Sequence, residues 1–264
     1  MKFKPWNYQQ YAINHVIDNS ASGLFLDMGM GKTVSTLTAI DDLILLGEVN
    51  KVLVIAPLRV AEDTWSTEVD KWDHLKHLRI SKILGSKKQR EEAINTEADI
   101  YVTNRENVDW LVTECFNSWI WDMVVIDELS SFKSSKAKRF RALKKVRPHF
   151  KRIVGLTGTP APNSLIDLWP QIYLLDGGQR LGKTITGYKE RYFKPGRRNG
   201  YVVYNWELKE GSEEAIQNKI SDICISMSAK DYLDLPERID NRVEITLPVK
   251  VMDTYRQLEK DLVL

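Results

Sequence analysis

The sequence predicts an α/β fold with a mostly parallel central sheet flanked by helices, and three observations carry that reading. Five short runs rich in Val, Ile and Leu, at Gly23–Leu26, Lys51–Ile55, Ile100–Thr103, Met123–Ile126 and Ile153–Leu156, are continuously apolar rather than alternating. That is the texture of strands buried on both faces. Helix-like stretches separate them, as crossovers between parallel strands require. Each run also ends in polar or special residues, which is where an open parallel sheet builds its ligand site.

Taken in order, Tyr8 to Ile17 reads as a helix that stops at Asp18-Asn-Ser20. The first apolar run leads into Asp27 and a glycine turn, and Val34 to Leu46 then reads as a helix. The second run ends in Ala56-Pro57, the third in Asn104-Arg105, the fourth in Asp127-Glu128 and the fifth in Thr157-Gly158-Thr159-Pro160. Beyond Gly177 the texture changes. Residues 182–211 are rich in Gly, Lys, Arg and Tyr, and Tyr201–Trp206 reads as part of a hairpin. Glu213–Met227 is expected as a helix, Arg242–Leu247 as a strand and Val251–Leu264 as an amphipathic helix. The expected domains are therefore 1–176, an extension over 177–245, and the beginning of a linker over 246–264.

The glycine turn is the strongest local signal. In Gly23-Leu-Phe-Leu-Asp-Met-Gly-Met-Gly-Lys-Thr33 a strand breaks into glycines and a helix begins at once. Backbone N–H groups and the positive end of the helix dipole then converge on one anion. Lys32 is placed to neutralise β/γ-phosphates and the Thr33 hydroxyl to ligate Mg²⁺. The strict GxxxxGK[ST] pattern occurs elsewhere, at Gly177–Thr184. Context selects the first site, because a phosphate loop must follow a buried strand and open a helix. Leu168–Leu175 is interrupted by Pro170 and is too helix-like for a central strand, and Ile185-Thr-Gly187 offers no clean helix start. The second match reads as a loop after a helix.

An acidic pair closing an apolar strand, Asp127-Glu128, supplies what the loop lacks. Asp127 would hold Mg²⁺ and Glu128 would orient and deprotonate an attacking water. Composition adds little about partners, because the formal charge is only +2. Its distribution is informative: no acidic residue lies between Glu128 and Asp167, a gap that holds ten lysines and arginines. The run reads equally as a solvated helix face or as a phosphate-facing patch. Two cysteines without metal-ligand spacing, and no apolar leader or bilayer-length run, give the expectation of a reducing, cytoplasmic setting.

With these residues in view, the chain resembles the Swi/Snf family of ATPases, in superfamily two of the helicases and translocases. Asp27-Met-Gly-Met-Gly-Lys-Thr33 resembles DEMGLGKT, and Ala56-Pro-Leu58 with Trp65, Glu68 and Lys71-Trp72 is similar to the P-L…W…E…KW block. Thr103-Asn-Arg-Glu106 resembles TTYE, and Asp127-Glu-Leu-Ser-Ser-Phe-Lys133 resembles DEAHRLK. Leu156-Thr-Gly-Thr-Pro160 with Asn163 and Leu168-Trp169 is similar to LTGTPxxNxxxELW, and Leu235-Pro-Glu-Arg238 to a later element. Tyr8-Gln9 with Ala12 resembles the upstream glutamine motif.

The resemblance implies a RecA-like P-loop lobe that binds ATP and Mg²⁺ and works on double-stranded DNA. Gln9 would read adenine, and Met28, Gly29, Met30, Gly31, Lys32 and Thr33 would cradle the phosphates. Lys32, Asp127 and Glu128 would be catalytic, with Thr33 and Asp127 on the metal. Pro57, Arg59, Thr103, Asn104, Arg105 and Lys133 would lie along the nucleic-acid backbone, while Ser130, Thr157 and Thr159 would couple the two sites. It also implies a second RecA-like lobe with an arginine finger, so the chain is expected to be a fragment, from a bacterium or phage, and weakly active alone. Ser130 stands where the family has histidine, and Arg105 where it has an aromatic. A restriction-enzyme motor subunit or an RNA helicase lobe stays open beside this reading, as does a nonhydrolysing nucleotide-dependent DNA-binding scaffold.

Overall fold

The five apolar runs are strands, and all five lie in one sheet. In the computed structural model residues 1–199, 202–203, 205–232 and 248–261 are described, in two units, Met1–Leu233 and Asp234–Leu264. Chain order in the first unit begins α1 (Asn7–Asp18), β1 (Ala21–Leu26), α2 (Lys32–Leu45), β2 (Val52–Ala56), α3 (Trp65–Lys71), β3 (Ile80–Ile83), α4 (Lys87–Asn95) and β4 (Ile100–Asn104). It continues with α5 (Val108–Cys115), β5 (Met123–Asp127), α6 (Lys138–Val146), β6 (Arg152–Thr157), α7 (Leu168–Asp176) and α8 (Ile185–Tyr192). A hairpin region of β7 (Phe193–Pro195), β8 (Arg198–Asn199), β9 (Val202–Val203) and β10 (Trp206–Leu208) follows, then α9 (Ser212–Ile220), β11 (Cys224–Met227) and α10 (Ala229–Tyr232). The second unit holds α11 (Val249–Asp261).

The central sheet has seven strands in the order β11-β1-β6-β5-β2-β4-β3, and every neighbouring pair is parallel. Alternate residues of each strand enter two separate cores, because successive side chains point to opposite faces. Leu53, Ile55, Val124 and Ile126 pack with Leu111, Phe140 and Leu175 on one side. Val52, Val54, Met123 and Val125 pack with Ala12, Leu37, Ile40 and Trp65 on the other. Both faces are covered, so the strands can be apolar throughout.

The differences from expectation lie at the sheet edges and after residue 177. Ile80–Ile83 is a short edge strand paired with β4; its Ile-Ser-Lys-Ile pattern has no apolar run to announce it. Glu213–Met227 is not one helix: α9 ends at Ile220 and Cys224–Met227 pairs with β1. Covering the open edge of β1 outweighs the local helical spacing there. Gly23 permits the close approach, since a Cβ at that position would lie 2.7 Å from the Cys224 sulfur. The boundary expected at residue 176 thus falls inside the unit that closes this sheet. A helix does begin at Ile185, started by the Thr184 hydroxyl accepting from the Gly187 N–H at 3.2 Å. Pro170 is the third residue of α7, where a missing N–H costs nothing.

The strict pattern at Gly177–Thr184 follows a helix, which ends on Gly177 at φ 67°. Its amides are turned inward: the Asp176 carboxylate accepts from Gly178 N at 2.7 Å and Arg180 N at 2.8 Å. This loop therefore binds the protein's own anion. The predicted strand at Arg242–Leu247 and the Leu235–Arg238 element lie outside the described residues. No helix among those described is long and apolar enough to cross a membrane.

Candidate nucleotide site

Strands β1, β6 and β5 lie side by side in the sheet, and their carboxyl ends carry the glycine loop, Thr157 and Asp127. Gly29 and Gly31 take φ of 82° and 74°, the left-handed region that glycine enters without strain. Gly31 also makes room for a neighbour, because a Cβ there would sit 2.4 Å from the Gln9 amide nitrogen. Gln9 is buried, accepts from Trp6 N at 3.0 Å and donates to the Met30 carbonyl at 3.4 Å. It therefore braces the loop against the N-terminal segment. Met30 points into the core and Met28 is 86% exposed, so the loop can offer a phosphate backbone groups at these two positions but not a common side-chain surface. A cleft of about 580 Å³ opens beside the loop, lined by Gln9, Gly31, Lys32 and Thr33 and walled by Lys2, Trp6, Lys71 and Trp72.

Lys32 opens α2 and donates to the Leu26 and Asp27 carbonyls at 2.7 and 3.0 Å. Burial pushes its pKa down, and the charges of Asp127, Glu128 and Asp27 pull against that shift. Burial likewise pushes the Asp127 carboxyl up; the Trp65 indole N–H, donating at 3.0 Å, opposes this, Glu128 adds to it and Lys32 opposes it. Trp65 is the residue that sequence reasoning left without a role. A fully buried indole needs an acceptor, and that requirement is the signal that could have found it.

Glu128 has φ 61°, the sole non-glycine residue with positive φ among those described. Such a conformation costs on the order of 1–3 kcal/mol and concentrates at functional sites. Its Oε1 accepts from the Ser130 hydroxyl and, at 3.0 Å, from the Thr157 hydroxyl. Thr157 Oγ1 in turn accepts from Thr159 N at 3.1 Å. Of the three residues expected to couple the sites, Ser130 and Thr157 thus converge directly on one carboxylate, and Thr159 joins them through its backbone N–H to Thr157. Gly155 lets Leu129 lie flat across β6, which fixes the turn after Glu128.

The oxygen donors suit Mg²⁺. Among the described residues no three acidic, histidine or cysteine side chains gather into a cage. One carboxylate, Asp127, and the Thr33 hydroxyl suffice for an ion that is held mainly by substrate phosphates and water.

The expected backbone-contact residues divide. Pro57 and Arg59 follow β2, and Arg59 is exposed, as is Lys133. Thr103 is fully buried and gives its hydroxyl to the Ile83 carbonyl at 2.9 Å, so its side chain is a sheet fixture and not a surface contact. Asn104 is buried and donates to Glu106 at 2.9 Å, and Arg105 pairs with the same carboxylate at 2.9 Å. The cation run divides too. Phe140, Leu143 and Val146 face the core as their spacing predicts. Arg147 donates to the last carbonyls of α7, Arg152 to those of α1, and Arg139 to the Ser131 carbonyl. Lys136, Lys138, Arg141, Lys144 and Lys145 remain exposed.

Gln171 was also missed. It is fully buried beneath the Thr157–Pro160 turn, and its amide NH₂ faces two carbonyls, Pro160 and Asp167, the latter at 2.7 Å. Two acceptors settle the amide orientation, which leaves Oε1 buried without a partner. Gln171→Leu should therefore strip two carbonyls of their donor and lower stability by about 1–3 kcal/mol, measured by urea unfolding. Asp127→Asn should act in the opposite direction. The folded carboxyl has a pKa above its unfolded value, so the charged form begins to cost stability as pH rises through that range and still does at pH 7. The amide oxygen can still accept from Trp65. The variant's melting point should rise at pH 7 and lose that advantage below pH 4, each 1 kcal/mol moving it by about 2–4 °C.

With the geometry in place, comparison with known proteins is direct. The SNF2-related domain profile matches residues 6–261. Protein p41 of Acyrthosiphon pisum secondary endosymbiont phage 1 is 40% identical over 269 residues, covering 99% of this chain and 58% of p41. An uncharacterized ATP-dependent helicase of Mycoplasma pneumoniae is 33% identical over 172 residues, covering 62% of this chain and 16% of that protein. Among solved structures, the Sulfolobus solfataricus SWI2/SNF2 ATPase core in complex with dsDNA superposes with a TM-score of 0.71 at 24% identity, covering all of this chain and 53% of that one. The chain thus spans little more than half the length of p41 and of the archaeal core, and a smaller share of the Mycoplasma protein. A glycine loop, an acidic strand end and a threonine turn meeting on one sheet edge, with a profile match over nearly every residue, establish that this chain belongs to the SNF2-related domain family.

Proposed function

We propose that this chain is the ATP-binding lobe of a DNA-dependent ATPase that translocates on double-stranded DNA, completed by a second RecA-like lobe. One observation carries the reading: Glu128, held in a strained backbone by two hydroxyl donors, stands next to Asp127 on the strand end facing Lys32. That arrangement has a chemical use. Lys32 would bind the β/γ-phosphates, the loop amides would cradle them, and Thr33 and Asp127 would hold Mg²⁺, which when bound offsets phosphate charge. Glu128 would align a water for in-line attack and take its proton. The duplex partner and the second lobe rest on similarity to the archaeal core solved with dsDNA, of which this chain matches 53%.

The test is binding and turnover by the chain itself. It should bind Mg·ATP, shown by titration calorimetry, yet hydrolyse it slowly with or without duplex DNA. A missing arginine finger would account for roughly 10³–10⁵ in rate. Fast, DNA-stimulated turnover by residues 1–264 alone would refute the need for a second lobe.

A further inference from the structure

The period of β5 decides where Asp127 points. Successive side chains alternate, so Asp127 follows Met123 and Val125 onto the sheet face that packs with α2 and α3. Trp65 meets it there. Its side chain is fully buried in the core that also holds Leu37 and Ile40 of α2, the helix that Lys32 and Thr33 open. Its indole N–H donates to Asp127 Oδ2 at 3.0 Å, and no other side chain among the described residues is hydrogen-bonded to that carboxylate. Burial alone does not demand such a partner. Trp119 and Trp169 give their N–H groups to backbone carbonyls, of Trp121 at 2.7 Å and of Gly182 at 2.9 Å.

The backbone before Trp65 is irregular in a way that aims the indole. Helical bonding begins after β2, where Ala61 N donates to the Pro57 carbonyl at 2.9 Å, and Val60–Thr64 then form a π-helical turn that leads straight into Trp65 and α3. A π turn carries one extra residue, and one residue is about 100° of an α-helix. An uninterrupted helix from Pro57 would therefore turn position 65 away from β5. Such turns are frequent at functional sites. The choice of residue type matters as well. The terminal torsion of an aspartate is broad, so a metal-binding carboxylate needs an outer partner to orient it. An indole N–H is a donor only, so it can hold the carboxylate without itself competing for a cation.

We infer that Trp65 is a positioning residue for the metal: its N–H holds Oδ2 of Asp127 and so reserves Oδ1 for Mg²⁺. The inference rests on the proposed nucleotide reading and adds the π turn and α3 to the elements that build the metal site.

The experiment is calorimetric ATP binding by the full chain across a Mg²⁺ series and again in EDTA. Benzothienylalanine incorporated at position 65 keeps the shape of the ring and puts sulfur where the N–H was; Trp65→Phe is the encoded counterpart. Loss of an outer partner costs on the order of 10–100-fold in metal affinity. The lower end applies here, because phosphates and water supply most of the coordination. The Mg²⁺ concentration at half-saturation should therefore rise about tenfold in both variants. Affinity in EDTA, set by Lys32 and the loop amides, should change by less than about twofold. In an Asp127→Asn background the sulfur replacement should add less than about twofold, since the ligand it positions is gone. If Trp65→Phe does not fold, the isosteric variant decides alone. Equal losses in EDTA and in Mg²⁺ would mark a merely structural residue and overturn the inference, as would an unchanged half-saturation in the isosteric variant or a full additional loss on top of Asp127→Asn. A wild-type chain that binds ATP without any dependence on Mg²⁺ overturns it through the metal assignment, and one that binds no ATP refutes the proposed function first.

Discussion

Lys32→Ala should cost the chain about 10- to 100-fold in ATP affinity while leaving it folded. A hydrogen bond to a charged group contributes about 1.5–3 kcal/mol, and each 1.4 kcal/mol is about tenfold in Kd. The folded-state argument makes the result interpretable. Burial holds the Lys32 pKa below its unfolded value, so the unfolded chain binds that proton more tightly and the charged lysine costs stability at neutral pH. That cost is present at every pH below the lowered value and fades as pH rises through it toward 10.5. Removing the side chain relieves that cost but also takes the donor from the Leu26 and Asp27 carbonyls, so the two effects oppose each other and the variant should stay folded with a melting temperature within several degrees of the wild type. A second consequence follows from the shared field: Lys32 helps keep Asp127 ionised, so its loss should push that carboxyl further up. Calorimetric titration with Mg·ATP checks the affinity, and a thermal melt checks the fold. Undiminished affinity would move the phosphate site away from Gly29–Thr33, and the inward-turned amides of Gly177–Thr184 would need another explanation.

Most of the sheet was legible because its strands are buried on both faces, and burial on both faces leaves a continuous apolar run. Ile80–Ile83 and Cys224–Met227 were not, because each lies at an edge and buries only part of its length. For the second of these the deciding partner, the exposed edge of β1, is some 200 residues away in sequence. The site shows the same split. Lys32, Asp127 and Glu128 were legible as types at strand ends. What holds them was not, because it depends on contacts across the sheet: Trp65 on Asp127, Thr157 on Glu128, Gln171 under Pro160. Thr103 shows the converse, a residue whose place in a motif suggested a surface contact while its buried hydroxyl is committed to Ile83.

The Glu128 assignment yields the largest expected effect on chemistry. Glu128→Gln should lower single-turnover ATP hydrolysis by about 10²–10⁴-fold with affinity changed by less than about threefold. The amide keeps an oxygen where Oε1 accepts from Ser130 and Thr157, so the side chain can hold its place. What it loses is the capacity to take a proton from water. Thr157→Val separates this role from positioning. It removes one donor to the carboxylate and the acceptor for Thr159 N while leaving the base itself intact. Its rate should fall less than that of Glu128→Gln, and any duplex-dependent change in rate, measured with the second lobe present, should fall more. If instead Glu128→Gln hydrolysed ATP at the wild-type rate, water activation would have to come from elsewhere, and the positive φ at this residue would lose its functional explanation. If both variants lost ATP binding together, the hydroxyl–carboxylate chain would be a support for the loop rather than a link between hydrolysis and the turn at Thr159.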